Sequence, residues 1–140
     1  MKLYYLAVFL GSALPLAQAQ PLTPDPRLIL SLYFAGGSYS IDPGQDAALV
    51  KFIKSFPAIE NYTITVHSHT DNIGSAGYNQ WLAENRSHAV IKRLLSLKIP
   101  REIISIHDFG EVNPVYDNAT YEGRLRNRRV DVILWPRETL

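Results

Sequence analysis

The sequence alternates between strand-like and helix-like apolar patterns, and this alternation is the feature that most restricts the folds open to the chain. Apolar residues at every second position predict half-buried strands, whereas apolar residues at spacings of three and four predict amphipathic helices. Helices that connect strands cross over a sheet and pack on it. The patterns predict, in order, a strand over 28–34, a helix over 42–56, a strand over 62–67, a helix over 78–97, a strand over 103–106, a polar loop over 110–123 and a strand over 130–134. This order predicts an α/β (α+β) fold, a two-layer sandwich with a mixed four-stranded sheet.

The N-terminal segment is not expected to contribute to this fold. Residues 3–16 are almost continuously apolar and precede a small-x-small pattern ending at Ala19, so residues 1–19 are interpreted as a secretory signal peptide. The apolar run is shorter than the roughly 20 residues that a membrane-spanning helix needs. Residues 20–27 contain three prolines and predict a short, stiff leader. Residues 28–140 are then expected to form a single domain.

Composition limits the compartment, the partners and the chemistry. The chain has no cysteine, so we expect neither a disulfide nor a thiol for lipid attachment. Without the signal peptide, 13 basic and 13 acidic side chains remain. This balance argues against nucleic-acid binding, which depends on a basic surface. The sequence contains no nucleophile elbow, phosphate loop or redox pair, so neither catalysis nor a cofactor is expected.

Two charged residues are candidates for a binding site. Asp71 follows the strand predicted over 62–67, and the ends of strands in α/β sheets are where ligands bind. Arg86 lies in the second predicted helix, where it shares a face with Asn79 and Leu82 at the edge of the apolar stripe. An inward-facing arginine needs an anionic partner. Three interpretations stay open: the two residues pair with each other, the Arg86 side chain extends to water, or the two residues bracket a zwitterion, with Arg86 on its carboxylate and Asp71 on its ammonium group.

Two segments, SHTDNIGSAGYNQWLAENRS and GEVNPVYDNATYEGRLRNRRVDV, resemble the OmpA-like peptidoglycan-binding domain, and the resemblance extends over residues 30–135. It implies a periplasmic module that binds peptidoglycan without covalent attachment, through the meso-diaminopimelate of the stem peptide. It also implies that Arg86 takes the free carboxylate of that residue and that Asp71 takes its ammonium group. The expected site consists of Asp71, Arg86, Asn79, Thr70, Leu82 and Arg128. The sequence departs from the family pattern at Ser68, which is usually glycine, and around Arg86, which lies between Asn85 and Ser87.

Two other functions are compatible with parts of the sequence. His67, His69 and Asp71 form an H-x-H-x-D pattern. Two histidines on the same face of a strand can share a zinc ion, so this pattern is compatible with a zinc-dependent hydrolase. Asn72 stands where that motif normally continues with histidine, so we expect no metal site.

An interaction module of an envelope complex is the third interpretation. It rests on aromatic residues, which are enriched at interfaces, and on a basic group near the C-terminus. Association with the outer membrane would then pass through an envelope protein partner, or the chain would form a homodimer. The residues concerned are Tyr78, Trp81, Tyr116, Tyr121 and Trp135, with Arg124, Arg126, Arg128 and Arg129.

Overall fold

A computed structural model describes residues 24–111 and 114–137. The predicted signal peptide and the first part of the proline-rich leader lie outside the described residues. The helices and strands are β1 (Ile29–Tyr33), α1 (Pro43–Lys54), β2 (Tyr62–His69), α2 (Ala76–Ser96), β3 (Ile104–Gly110), α3 (Tyr121–Asn127) and β4 (Arg129–Pro136). No helix within these residues is long and apolar enough to cross a membrane.

The four strands form one mixed sheet, in the order β1-β4-β2-β3. β4 lies between β1 and β2 and is antiparallel to both, whereas β2 and β3 are parallel. The last strand of the chain is therefore inserted beside the first. The prediction of a two-layer α/β fold with a mixed four-stranded sheet is confirmed.

The core lies between one face of the sheet and the helices α1 and α2. The apolar side chains at the central even positions of β2 and β4 are fully buried, namely Ile64, Val66, Val130, Val132 and Leu134. They belong to one cluster with Leu49 of α1 and with Val90 and Leu94 of α2. The helix spacings that the sequence predicted therefore mark the buried faces correctly.

Side-chain caps explain where the helices begin. Asp42 Oδ1 accepts a hydrogen bond from the amide of Gln45 (2.9 Å), and proline follows at the first helical position, as the sequence predicted. α2 begins two residues earlier than predicted because the hydroxyl of Ser75 accepts from the amide of Tyr78 (3.1 Å).

The prediction of a polar loop over 110–123 is partly wrong. β3 continues to Gly110, and α3 begins at Tyr121 after a cap in which the Thr120 hydroxyl accepts from the amide of Gly123 (2.9 Å). α3 has seven residues, too few for a periodic apolar pattern to be recognisable.

Gly123 is the position where this short helix is packed most tightly. A Cβ atom there would lie 1.8 Å from the carbonyl oxygen of Asp117. We expect Gly123→Ala to lower the free energy of unfolding by about 2–4 kcal/mol, because the backbone has to move to admit the methyl group. Gly77→Ala is the matched control, since nothing lies within 4 Å of a Cβ at that position of α2. The control should stay within about 1 kcal/mol of the wild type in urea denaturation, and equal stability of the two variants would contradict this account of α3.

Candidate ligand-binding site

A cavity of about 210 Å³ opens where β2 ends, between the β2–α2 turn, the first half of α2 and the loop that follows β1. All six residues that the sequence assigned to the site line it. The complete lining consists of Gly36, Gly37, Thr70, Asp71, Ile73, Tyr78, Asn79, Leu82, Arg86 and Arg128. The structure therefore brings the predicted residues together, including Arg128, which is 57 positions from Asp71.

Arg86 is a fully buried cation that is held only by neutral groups. Its side chain donates to three backbone carbonyls: Nε to Ser38 (2.8 Å), Nη1 to His69 (3.0 Å) and Nη2 to Ala35 (3.2 Å). Burial lowers the pKa of Arg86 to about 10, and the nearby Asp71 carboxylate opposes this shift. The guanidinium thus stays charged at neutral pH. A guanidinium has five N–H groups, so two remain for a ligand.

Asp71 is bonded to Arg128, not to Arg86. Its Oδ2 accepts from Arg128 Nε (2.5 Å), and its Oδ1 accepts from the amide of Ile73 (3.0 Å). Of the three interpretations that the sequence left open, the direct Asp71–Arg86 pair is therefore wrong, and the extension of Arg86 to water is also wrong because this residue is fully buried. A different arginine neutralises the aspartate, and Arg86 has no carboxylate hydrogen-bonded to it within the described part of the chain.

Two further polar atoms of the lining are buried without a hydrogen-bond partner among the described residues. They are Thr70 Oγ1 and Asn79 Oδ1. The amide nitrogen of Asn79 donates to Glu111 Oε2 (2.7 Å), so its oxygen is the atom left as a free acceptor. An unsatisfied buried polar group costs about 1–3 kcal/mol. A ligand that donates hydrogen bonds would remove this cost, which identifies the cavity as a candidate binding site.

The loop after β1 forms one wall of the cavity, which the sequence did not predict. A Cβ at Gly36 would lie 3.3 Å from Arg128 Nη1, and Gly37 has a φ of 68°. The sequence does carry a signal for this wall, because two adjacent glycines mark a place where other groups can approach the backbone closely. The residues that sequence reasoning left out of the site are Gly36, Gly37, Ile73, Tyr78 and Glu111.

The histidine pattern does not assemble a metal site. His69 Nε2 lies 3.6 Å from Asp131, the ring of His67 is 4.8 Å from that of His107, and Asp71 is bonded elsewhere. No group of three or more metal-ligating side chains occurs within residues 24–111 and 114–137. The zinc-hydrolase interpretation therefore has no support from the geometry.

The basic residues near the C-terminus have partners within the chain. Arg124 donates to the carbonyls of Asn118 and Ala119. Arg126 pairs with Glu122, Arg128 with Asp71 and Arg129 with Asp131. Asn127 braces the preceding loop, because its side chain bonds to both backbone groups of Tyr116. Three of the four arginines are thus paired with carboxylates, and only Arg124 bonds to neutral carbonyls, which reduces the positive charge that this group could offer an acidic partner.

The fold and the cavity together describe a small α/β binding module, and comparison with known proteins identifies its family. Residues 33–128 match the OmpA family, and the chain belongs to this family. OmpA-family domains are structural modules and not enzymes, in agreement with the expectation from the sequence. Ser68, Asn85 and Ser87, where the sequence departs from the family pattern, do not line the cavity.

Relatives and solved structures agree with this assignment. The chain is 34% identical to the outer-membrane lipoprotein YfiB of Pseudomonas aeruginosa, over 67% of this chain and 56% of the relative. It is 32% identical to the peptidoglycan-binding protein ArfA of Mycobacterium tuberculosis, over 72% of this chain and 31% of the relative. The chain thus spans only part of the length of these relatives. The crystal structure of the peptidoglycan-associated lipoprotein from Burkholderia pseudomallei superposes with a TM-score of 0.70 at 26% identity, covering 75% of this chain and 89% of that one.

The histidines beside the site make the stability of the fold depend on pH. Burial, and secondarily the Arg129 guanidinium, lowers the pKa of His69 to about 4 from its ordinary value of 6.5, although Asp131 opposes the shift and His67 adds to it. The unfolded chain therefore takes up a proton at higher pH than the folded chain. The stability due to neutral His69 is present above pH 6.5 and is lost as the pH falls toward 4, by up to about 3 kcal/mol.

We expect His69→Gln to reduce this loss, because glutamine does not titrate and the backbone carbonyl that Arg86 uses is retained. The measurement is the free energy of unfolding by urea at pH 7.5 and at pH 4.5, for the variant and the wild type. His88→Gln, on the exposed side of α2, is the control and should behave as the wild type. An equal loss of stability in His69→Gln and the wild type would show that other groups cause the pH dependence.

Proposed function

We propose that the chain binds peptidoglycan without covalent attachment, by holding the zwitterionic end of meso-diaminopimelate in the cavity at the end of β2. The observation that carries the proposal is the buried Arg86, which has no anion bonded to it and lies beside Asp71 and two unsatisfied polar atoms. The names of the relatives support the class of ligand, since one of them is called a peptidoglycan-binding protein.

The charges of the cavity suit a ligand that carries both signs on one carbon. A carboxylate would accept from the two N–H groups of Arg86 that the backbone carbonyls leave unused. An ammonium group would donate to Asp71, whose carboxylate has acceptor sites beyond the ones used by Arg128 and Ile73, and to the free oxygen of Asn79. Each such charge-assisted contact contributes about 1.5–3 kcal/mol.

The size of the cavity fits an end group and not an entire muropeptide. Its volume of about 210 Å³ is below the roughly 300–1,000 Å³ of pockets that enclose drug-sized ligands. The rest of the stem peptide and the glycan would therefore lie outside, on the surface around the opening.

A wall-binding module functions in the periplasm, where the peptidoglycan is. The chain would link the wall to the envelope through a further protein, and association with the outer membrane would follow from that partner. A homodimer is a second arrangement, in which one assembly would carry two wall-binding sites.

Variants of the two central charges test the site directly. We expect Asp71→Asn and Arg86→Lys each to weaken binding to purified sacculi about 30-fold or more. Asp71→Asn removes the negative charge that would receive the ammonium group and leaves Arg128 without its partner, whereas Arg86→Lys keeps the positive charge but loses the planar fork that binds a carboxylate. Matched controls are Asp46→Asn and Arg93→Lys, which change the ion pair between α1 and α2 at 2.6 Å, outside the cavity. Binding is measured by co-sedimentation at increasing sacculus concentrations, with circular dichroism to verify folding. Folded Asp71 and Arg86 variants that pellet like the controls would exclude this cavity as the site.

Selectivity for the diamino acid tests the finer part of the proposal. Lysine in the third position of the stem lacks the second carboxylate, so its binding would leave Arg86 buried and unpaired. We expect the tripeptide that ends in meso-diaminopimelate to bind at least about 100-fold more tightly than the tripeptide that ends in lysine. Isothermal titration calorimetry with both peptides measures this ratio. Similar affinities would retain the cavity as a site but reject the role of Arg86 as the carboxylate receptor.

A further inference from the structure

Three aromatic side chains lie exposed in a continuous row beside the cavity, and we call this row the aromatic ledge. It consists of Tyr78 and Trp81 of α2 and Tyr39 of the loop before α1, which are 43%, 47% and 44% exposed. The rings of Tyr78 and Trp81 are stacked with centroids 5.8 Å apart and planes 28° apart. The ring of Tyr39 meets Trp81 edge to face, also at 5.8 Å.

The ledge is continuous with the cavity. Tyr78 is a member of both, since it lines the cavity and stacks on Trp81. Contiguous exposed apolar surface in a soluble domain indicates a binding surface. Whatever occupies the ledge has to be adjacent to the group that occupies the cavity.

The geometry points to a sugar ring of the glycan strand as the occupant, and we propose that the ledge receives the muramic acid that carries the bound stem peptide. This inference rests on the proposed function. The stem is attached to muramic acid, and two residues, about 7 Å when extended, separate that attachment from the diamino acid, whose side chain adds further length. The sugar therefore lies outside the cavity and beside its opening. The ledge begins there, because Tyr78 lines the cavity, and it continues away from the opening to Trp81, whose ring centroid is 5.8 Å from that of Tyr78.

The chemistry of the two surfaces also matches. The face of a pyranose ring presents C–H groups, which pack on an aromatic ring through dispersion and weak C–H contacts. Its hydroxyl groups lie at the rim, where they stay in water or meet polar side chains. Glu84 and Asn85 of α2 are placed for this, since they follow Trp81 by three and four positions and lie on the same side of the helix.

The test compares two ligands on the full chain: the free tripeptide ending in meso-diaminopimelate, and the same tripeptide attached to its disaccharide. We expect the disaccharide to raise the affinity of the wild type by roughly three- to tenfold, the contribution of one or two aromatic contacts. Trp81→Ala should abolish this gain and leave the affinity for the free tripeptide unchanged. Trp81→Phe should restore most of the gain. Tyr121→Ala, which removes an exposed ring from α3 outside the ledge, is the control and should retain it.

The outcomes separate this inference from the proposal on which it rests. Tight binding of the free tripeptide with no gain from the disaccharide overturns the ledge and keeps the cavity. Failure of both ligands to bind overturns both. Sedimentation velocity of the wild type and of Trp81→Ala tests the remaining alternative. If the wild type is a dimer and Trp81→Ala is a monomer, the ledge binds a second copy of the chain, and the sugar-binding role is overturned.

Discussion

The contact between the Arg86 guanidinium and three backbone carbonyls is the interaction on which the rest of the site depends. It joins α2 to the end of β2 and to two points of the loop after β1. These three segments are the walls of the cavity. Moving a cation out of water costs several kcal/mol even after relaxation, and this cost is offset here by three charge-assisted hydrogen bonds and by the ring of Phe34, whose centroid is 5.0 Å from the guanidinium carbon. An apolar side chain would fill the same space without that cost, so the buried charge is better explained by the proposed role of Arg86 as a carboxylate receptor than by a contribution to stability.

The second arginine of the cavity bears on the kind of ligand that we propose. Among the residues that line the cavity, Arg128 neutralises Asp71 and Arg86 keeps its positive charge, while the carboxylate of Glu111 lies outside the lining and is bonded to Asn79. A ligand with only an ammonium group would add to that charge, and a ligand with only carboxylates would leave Asn79 without a donor. A zwitterion satisfies both. The Asn79 side chain contributes to this choice because Glu111 fixes its orientation, which turns the carbonyl oxygen of the amide away from Glu111 as a free acceptor.

The sequence predicts the residues that α2 contributes to the cavity better than it predicts the partner of Asp71 or the helix α3. Helical periodicity places Arg86, Leu82 and Asn79 on one face, and all three are buried. The partner of Asp71 could not be deduced, because Arg128 comes close only after β4 has entered the sheet between β1 and β2. The sequence does not predict α3 either, because this helix also depends on a tertiary contact. Its seven residues are held by the contact of Gly123 with the chain at Asp117, which is a tertiary contact and leaves no periodic signal.

The position of Asp71 depends on an irregularity that alternation along the strand does not reveal. Regular alternation would place it on the face of the sheet that carries Thr65 and His67, away from α2. β2 ends at His69, however, so Asp71 lies in the turn that follows, where alternation no longer applies. At this end of the sheet the pairing of β2 with β3 shifts by one residue, with the additional residue in β3, and His69 pairs with Gly110. Gly110 adopts a φ of 56°, and a Cβ there would lie 3.3 Å from the backbone nitrogen of Gln80, which favours glycine where the helix approaches the strand end. In the turn, one carboxylate oxygen of Asp71 accepts from the amide of Ile73 and the other from Arg128, in the cavity that Arg86 also lines. The geometry of this turn, and not the strand pattern, therefore brings the carboxylate to the same side as the buried arginine.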